Sequence, residues 1–234
     1  MSAEETLGLL ATGEMEVLGL LPYASNATLL AKVSNDDAET LAVYKPRRGE
    51  RPLWDFPDGT LCLREYAAWL VDVALGWSLV PPTVLRDGPA GFGAVQLWIE
   101  EDVEVDVREL GATHLDDLRR VALFDVIVNN TDRKAGHLLV DGAGKLWSVD
   151  HGICFHAEPK LRTVIWAFEG EAIPDELLTG VEALRASAET LRALGEYLCV
   201  DEAEAFCHRV ETVLATKRFP SPAPGGRHVP WPPW

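Results

Sequence analysis

Long apolar runs are missing from this chain of 234 residues. None approaches the ~20 residues that a membrane-crossing helix needs, so no integral membrane association is expected. The opening Met-Ser-Ala-Glu-Glu-Thr is acidic and lacks a signal-peptide layout, which points to a cytoplasmic protein. Cysteine is scarce. Cys62, Cys154, Cys199 and Cys207 are scattered without a Cys-x-x-Cys pair, which excludes a disulfide framework and a Cys-rich zinc site. His151, Cys154 and His156 lie close together, but their gaps do not suit a closed zinc site. Positive charge is also short: the formal net charge is −16, and only six of the 21 basic residues are Lys. Nucleic acid and anionic membranes need a basic surface, so neither is expected as a partner. Several motifs are absent too. No Gly-x-x-x-x-Gly-Lys-Ser/Thr loop, Gly-rich phosphate loop or Gly-x-Ser-x-Gly elbow occurs, which sets aside Walker-type nucleotidases and argues against a hydrolase using Ser148 and His151.

What remains has the composition of a globular protein, long enough for one domain of two lobes. Residues 1–13 read as a short helix, with a break at Gly13. Residues 14–21, 27–33 and 40–45 alternate as three strands, close enough for an antiparallel meander. Val43 and Lys45 share one face of the third strand. Residues 60–75 carry apolar side chains at helical spacing, with Asp58 or Thr60 as the cap and Gly76 after the end. Strands at 80–85 and 92–99 complete a five-stranded antiparallel sheet, and the acidic run 100–106 follows. Arg47, Arg48 and Arg51 form the densest basic patch. Helices are expected at 115–128, 174–185, 188–198 and 202–217. The tail 219–234 is rich in Pro, and its two tryptophans are expected to pin it to the body.

The informative stretch is 124–152. An apolar helix runs into Asn129-Asn130-Thr131-Asp132-Arg133. Two alternating runs, 137–140 and 145–149, flank Asp141-Gly142, a hairpin signal. The second run ends in Asp150-His151-Gly152. Asp132 and Asp150 therefore sit at the ends of one hairpin and can face one cleft.

Protein kinases place a catalytic Asp in one loop, a metal-binding Asn five residues later, and a metal-binding Asp in an Asp-Phe-Gly turn after a hairpin. Asp132, His137 and Asp150-His151-Gly152 occupy those places. The run resembles the phosphatidylinositol 3-/4-kinase group, with its Asp-Arg-His-x-x-Asn pattern. Asp132-Arg133 and the spacing are kept, while Lys134 stands for His, His137 for Asn and His151 for Phe. HipA-type toxin kinases share a similar Asn-x-Asp loop. The chain is identified as a member of a small bacterial family of kinase-like proteins of this group.

The resemblance implies a two-lobed α+β protein-kinase-like fold. Its N-lobe would be 1–101, with the five-stranded sheet and one helix. A mostly helical C-lobe, 102–218, would carry the catalytic hairpin, followed by the tail 219–234. It implies ATP with Mg²⁺ or Mn²⁺ and phosphoryl transfer to a protein or small-molecule hydroxyl. The alternative is a nucleotide-binding pseudokinase or an AMP-transferring relative with a regulatory role. Asp132 would take the acceptor proton. Lys45 and the Ser25-Asn26 loop would hold the phosphates, with Glu65 as ion-pair partner of Lys45 and Val43 against the adenine. Asp150 and His137 would bind the metal, and Arg133 would either neutralise the loop or contact phosphate. Residues 97–101 would be the hinge.

Overall fold

Ser2 starts helix α1 (Ala3–Thr12) through a reciprocal cap. Its hydroxyl accepts from the Glu5 N–H at 3.2 Å, and the Glu5 carboxylate accepts from the Ser2 N–H at 2.7 Å. Two donors that a helix start leaves open are thereby satisfied. The computed structural model describes residues 1–22, 26–222 and 225–234. After α1 come β1 (Glu14–Leu20), β2 (Leu29–Ser34) and β3 (Glu39–Pro46), then β4 (Thr83–Gly88) and β5 (Gly91–Leu97). They form one antiparallel sheet in the order β1-β2-β3-β5-β4.

The alternation of β3 decides which side chains reach the cleft. Ala42 and Tyr44 are buried in a small core with Leu9, Leu10, Ala31, Val33 and Val95, so Val43 and Lys45 must point to the opposite face. The approach of β5 to β3 depends on Gly93, where a Cβ would lie 2.3 Å from the Lys45 carbonyl oxygen. No side chain fits there.

Helix α2 (Leu61–Leu75) is not capped by Asp58 or Thr60 as the sequence pattern suggests. Thr60 already has helical backbone angles, and its hydroxyl bonds Pro57 instead. The cap comes from Glu50, whose two carboxylate oxygens accept from the N–H groups of Leu61 at 3.0 Å and Cys62 at 2.8 Å. Negative charge is favoured at that end by the helix dipole as well. Gly76, with φ 69°, ends the helix in the left-handed conformation that glycine adopts without strain.

The larger core gathers around α4 (Leu115–Val128), which follows the single turn α3 (Leu110–Thr113), and around α5 (Asp175–Ala186), α6 (Ala188–Leu194) and α7 (Val200–Thr216). Ala67, Ala68, Val71 and Leu75 of α2 belong to this core, so α2 packs on the C-terminal helices. Each fully buried Val or Leu there contributes roughly 1.5–3 kcal/mol. The hairpin of β6 (Leu138–Val140) and β7 (Leu146–Ser148) is shorter than its pattern suggests, because His137 closes a 3-10 turn instead.

The tail runs back over this region, held by backbone bonds rather than by its own tryptophans. Ala135 N–H donates to the Pro233 carbonyl at 2.9 Å. Thr163 N–H and the Trp166 indole N–H both donate to the His228 carbonyl. Trp231 and Trp234 are exposed. Among the described residues, no helix is long and apolar enough to cross a membrane.

Candidate active site

A cleft of about 380 Å³ lies between the sheet and the β6–β7 hairpin. Asn26, Val43, Lys45, Glu65, Asp132, Lys134, His137 and Asp150 line it, together with residues 96–99. Lys45 Nζ is ion-paired to Glu65 Oε1 and stands 3.1 Å from Asp150 Oδ1. The other Asp150 oxygen is 3.4 Å from His137 Nε2. The second Glu65 oxygen accepts from the His151 N–H at 3.0 Å. One carboxylate on α2 thus ties the strand Lys to the Asp150-His151-Gly152 turn. The turn fits tightly against α2, since a Cβ on Gly152 would meet Glu65 Oε1 at 3.3 Å. Asp150 itself has φ 62°, a left-handed conformation that costs a non-glycine residue and recurs at functional sites.

The loop before Asp132 is built from one buried acid. Helix α4 stops because Asn129 turns left-handed, with φ 51°. Asp125, fully buried in α4, accepts from Asn130 Nδ2 at 2.9 Å, from Thr163 Oγ1 at 3.2 Å and from Arg133 Nε with both oxygens at 3.1 Å. Arg133 in turn donates to the Val149 carbonyl and to His151 Nε2, both at 2.8 Å. Asn130 Oδ1 accepts from the Asp132 N–H at 3.0 Å. The carboxyl of Asp132 meets Lys134 Nζ at 2.9 Å and is held facing the cleft.

Electrostatics follow from this packing. Burial opposes the Lys45 charge, but the Asp150 and Glu65 carboxylates outweigh it, so the Lys45 pKa is raised and the ammonium persists. Lys45 holds the Asp150 carboxyl well below the usual range. Burial pushes Glu65 up against the pull of Lys45, and pushes Asp132 up against the pull of Lys134. Burial, helped by Arg133, lowers His137 to about 4, so its imidazole is neutral near pH 7. Protonation near pH 6.5, expected for a free imidazole, does not apply here.

Of the expected site residues, Lys45, Glu65, Val43, Asn26, Asp132, His137 and Asp150 meet at this cleft. Ser25 lies outside the described residues. Of the two roles expected for Arg133, neutralising the loop fits the packing and contacting phosphate does not. Arg133 is fully buried with its guanidinium committed to Asp125, Val149 and His151, so it positions the loop and cannot reach a phosphate. The hinge also narrows, because the Trp98 N–H already donates to the Leu41 carbonyl at 3.0 Å. His151, at the place of Phe in the resembled motif, packs its ring edge-on to Phe124 while Nε2 accepts from Arg133. Ser148 Oγ lies 3.2 Å from His151 Nε2, but both residues are fully buried, so this pair is closed to a substrate. No cluster of three or more His, Cys, Asp or Glu suited to a metal occurs among the described residues. Lys134 and Asp125 were missed from sequence. The signals were a cation two residues after Asp132 and a lone acid on the buried side of an apolar helix.

No family profile matches the chain. Protein Rv2133c of Mycobacterium tuberculosis is 41% identical to it over 96% of this chain and 94% of that protein. The chain belongs to the Rv2133c family. Other resemblances to it are partial. Phosphatidylinositol 4-kinase gamma 4 of Oryza sativa subsp. japonica is 29% identical over 49% of the chain, which spans 24% of that protein. Among solved structures, the Helicobacter pylori proinflammatory kinase CtkA superposes with a TM-score of 0.57 at 11% identity, covering 90% of this chain and 94% of that one. The Golgi casein kinase superposes with a TM-score of 0.54 at 14% identity, covering 92% and 74%. The Rv2133c family therefore has the two-lobed kinase-like fold.

Proposed function

We propose that the protein is an ATP-dependent phosphotransferase acting on a hydroxyl of a protein or soluble small molecule. The observation that carries this reading is that Lys45, Glu65, Asp150 and Asp132 line one cleft, with Lys45 bridging the two carboxylates of Glu65 and Asp150. Phosphoryl transfer asks little covalent chemistry of a protein. It asks for positioning and charge neutralisation, which these groups supply. The persistent Lys45 ammonium holds phosphate oxygens, and Glu65 keeps it there. Val43 offers an apolar surface to the adenine, and Asn26 lies at the phosphate end. Asp132, partly buried with a raised pKa, is matched to accepting the acceptor's proton.

The donor set fits a divalent cation: the Asp150 carboxylate is a hard ligand, and the neutral His137 lies beside it. Such a cation, Mg²⁺ or Mn²⁺, would neutralise charge between the β- and γ-phosphates. His137 joins it only in one tautomer. Its Nδ1 faces the Lys134 N–H at 3.5 Å, an arrangement that favours the tautomer with its proton on Nε2, toward Asp150. Coordination through Nε2 requires that proton to move. The same observation favours a second reading, a nucleotide-binding pseudokinase with a regulatory role.

The test is a thermal-shift panel with ATP, Mg²⁺ and Mn²⁺, followed by transfer of labelled γ-phosphate and intact-mass analysis. Binding with transfer that is lost in Asp132→Ala supports the kinase. Binding without transfer supports the second reading, transfer of AMP revises the reaction class, and no nucleotide binding at millimolar ATP overturns both readings.

A further inference from the structure

A second cavity, of about 750 Å³, shares no lining residue with the cleft. The end of α4, segment 157–166, α7 and tail residues 218–221 and 226–228 line it. Its charge is the reverse of what the composition leads one to expect. In a chain with 37 acidic and 21 basic residues, this wall carries Lys160, Arg162, Arg209, Arg218 and Arg227 and not one Asp or Glu.

Lys160 is neutralised by Asp55 at 2.9 Å. The four arginines have no carboxylate within ion-pair distance among the described residues. Arg209 is the most telling. Its Nε donates to the Ile127 carbonyl at 2.9 Å and its Nη1 to the His156 carbonyl at 3.4 Å. Its Nη2 is buried with no partner among the described residues. That atom is covered by protein, so what Arg209 offers the cavity is the rest of its half-buried side chain and a charge that no carboxylate balances. Between the charges the wall is apolar, with Val126, Leu161, Trp166, Val213 and Phe219.

We propose that this cavity is a binding site for a phosphate monoester carried on an apolar or aromatic body. Several guanidiniums around one space exceed what a single carboxylate needs and suit the three oxygens and near-double charge of a phosphate. The volume is that of pockets which enclose drug-sized ligands. The site also bears on the cleft through backbone bonds. Arg162 N–H donates to the Asn130 carbonyl at 2.9 Å, and its own carbonyl accepts from the Arg133 N–H at 3.0 Å. Arg162 thus joins this wall to the loop carrying Asp132. This proposal does not depend on the kinase reading.

Titration calorimetry of the full chain tests it, with phenyl phosphate as the probe and inorganic phosphate and benzoate as controls. Phenyl phosphate is expected to bind about tenfold more tightly than either control, since each loses one half of the recognition. Binding is expected to survive Lys45→Met, which disables the cleft. It is expected to fall about tenfold in Arg209→Gln and in Arg227→Gln. Arg227 is exposed, so that variant keeps the test valid should Arg209→Gln not fold. Three results would overturn the proposal: no binding of phenyl phosphate at millimolar concentration, benzoate binding equally well, or affinity lost in Lys45→Met and kept in the arginine variants.

Discussion

Lys45 Nζ stands 3.1 Å from Asp150 Oδ1, two residues that lie 105 positions apart in the chain. The pair spans the cleft, and Glu65 holds the same ammonium from α2. Each charge sets the ionisation of the others, so substitutions among the three should not act independently.

Lys45→Met and Glu65→Gln are each expected to lower phosphotransfer strongly. The double variant is expected to lose much less than the two single losses combined, with a coupling of about 1–3 kcal/mol. Initial rates for the four proteins check this. Additive losses would mean that the ion pair does not act as a unit in catalysis.

The His137 imidazole tests the cation. Mg²⁺ demands oxygen ligands in tight geometry, whereas imidazole suits softer ions. If His137 coordinates, the protein prefers Mn²⁺, and His137→Asn shifts the preference toward Mg²⁺. Because burial holds His137 neutral down to about pH 4, this preference is expected to stay flat between pH 5 and 8. Metal titrations of both proteins at two pH values decide it. An unchanged preference in His137→Asn assigns the imidazole to orienting Asp150.

Arg133 should behave as a structural residue. Arg133→Met leaves the buried Asp125 carboxylate without its counter-charge, which typically costs about 3–5 kcal/mol. Urea unfolding should show a loss of that size. Intact stability with abolished turnover would mean instead that the guanidinium acts on the nucleotide.

Asp72 gives the fold a pH dependence. Its carboxylate accepts from the Leu79 and Val80 N–H groups, yet burial raises its pKa to about 6. For an acid raised from the ordinary value near 3.9, the folded state binds the proton more tightly. This contribution is therefore complete below about pH 4 and is lost as pH rises through 6. Relative to Asp72→Asn, the wild-type chain is expected to gain up to about 3 kcal/mol on going from pH 7 to pH 4. Urea titrations at both pH values check it, and a constant difference would sink the idea.

Much of the fold could be read from sequence because period and chemistry coincide locally. The alternation around Lys45, the helical face of residues 61–75 and the Asp-Gly hairpin each need only near neighbours. What escaped reading depends on partners distant in sequence. Glu50 caps a helix eleven residues on, Asp125 commits Arg133 to the interior, and the tail docks through backbone atoms that side-chain identity does not encode. The basic patch suggested by Arg47, Arg48 and Arg51 stays solvated, apart from Arg47 lying over the Phe92 ring. The basic wall of the second cavity is assembled from Lys160, Arg162, Arg209, Arg218 and Arg227, which no window of sequence displays.

Arg64 and Glu65 are neighbours on α2, and consecutive helical residues point about 100° apart. Glu65 reaches the cleft. Arg64 is buried the other way, donating to Glu202 on α7 at 2.5 Å and to the Cys154 carbonyl at 2.7 Å. Helix α2 is thus bolted to the C-terminal half like an axle in its housing. An outward swing of this helix would break a buried ion pair, so α2 belongs mechanically with the C-terminal half as well as with the sheet.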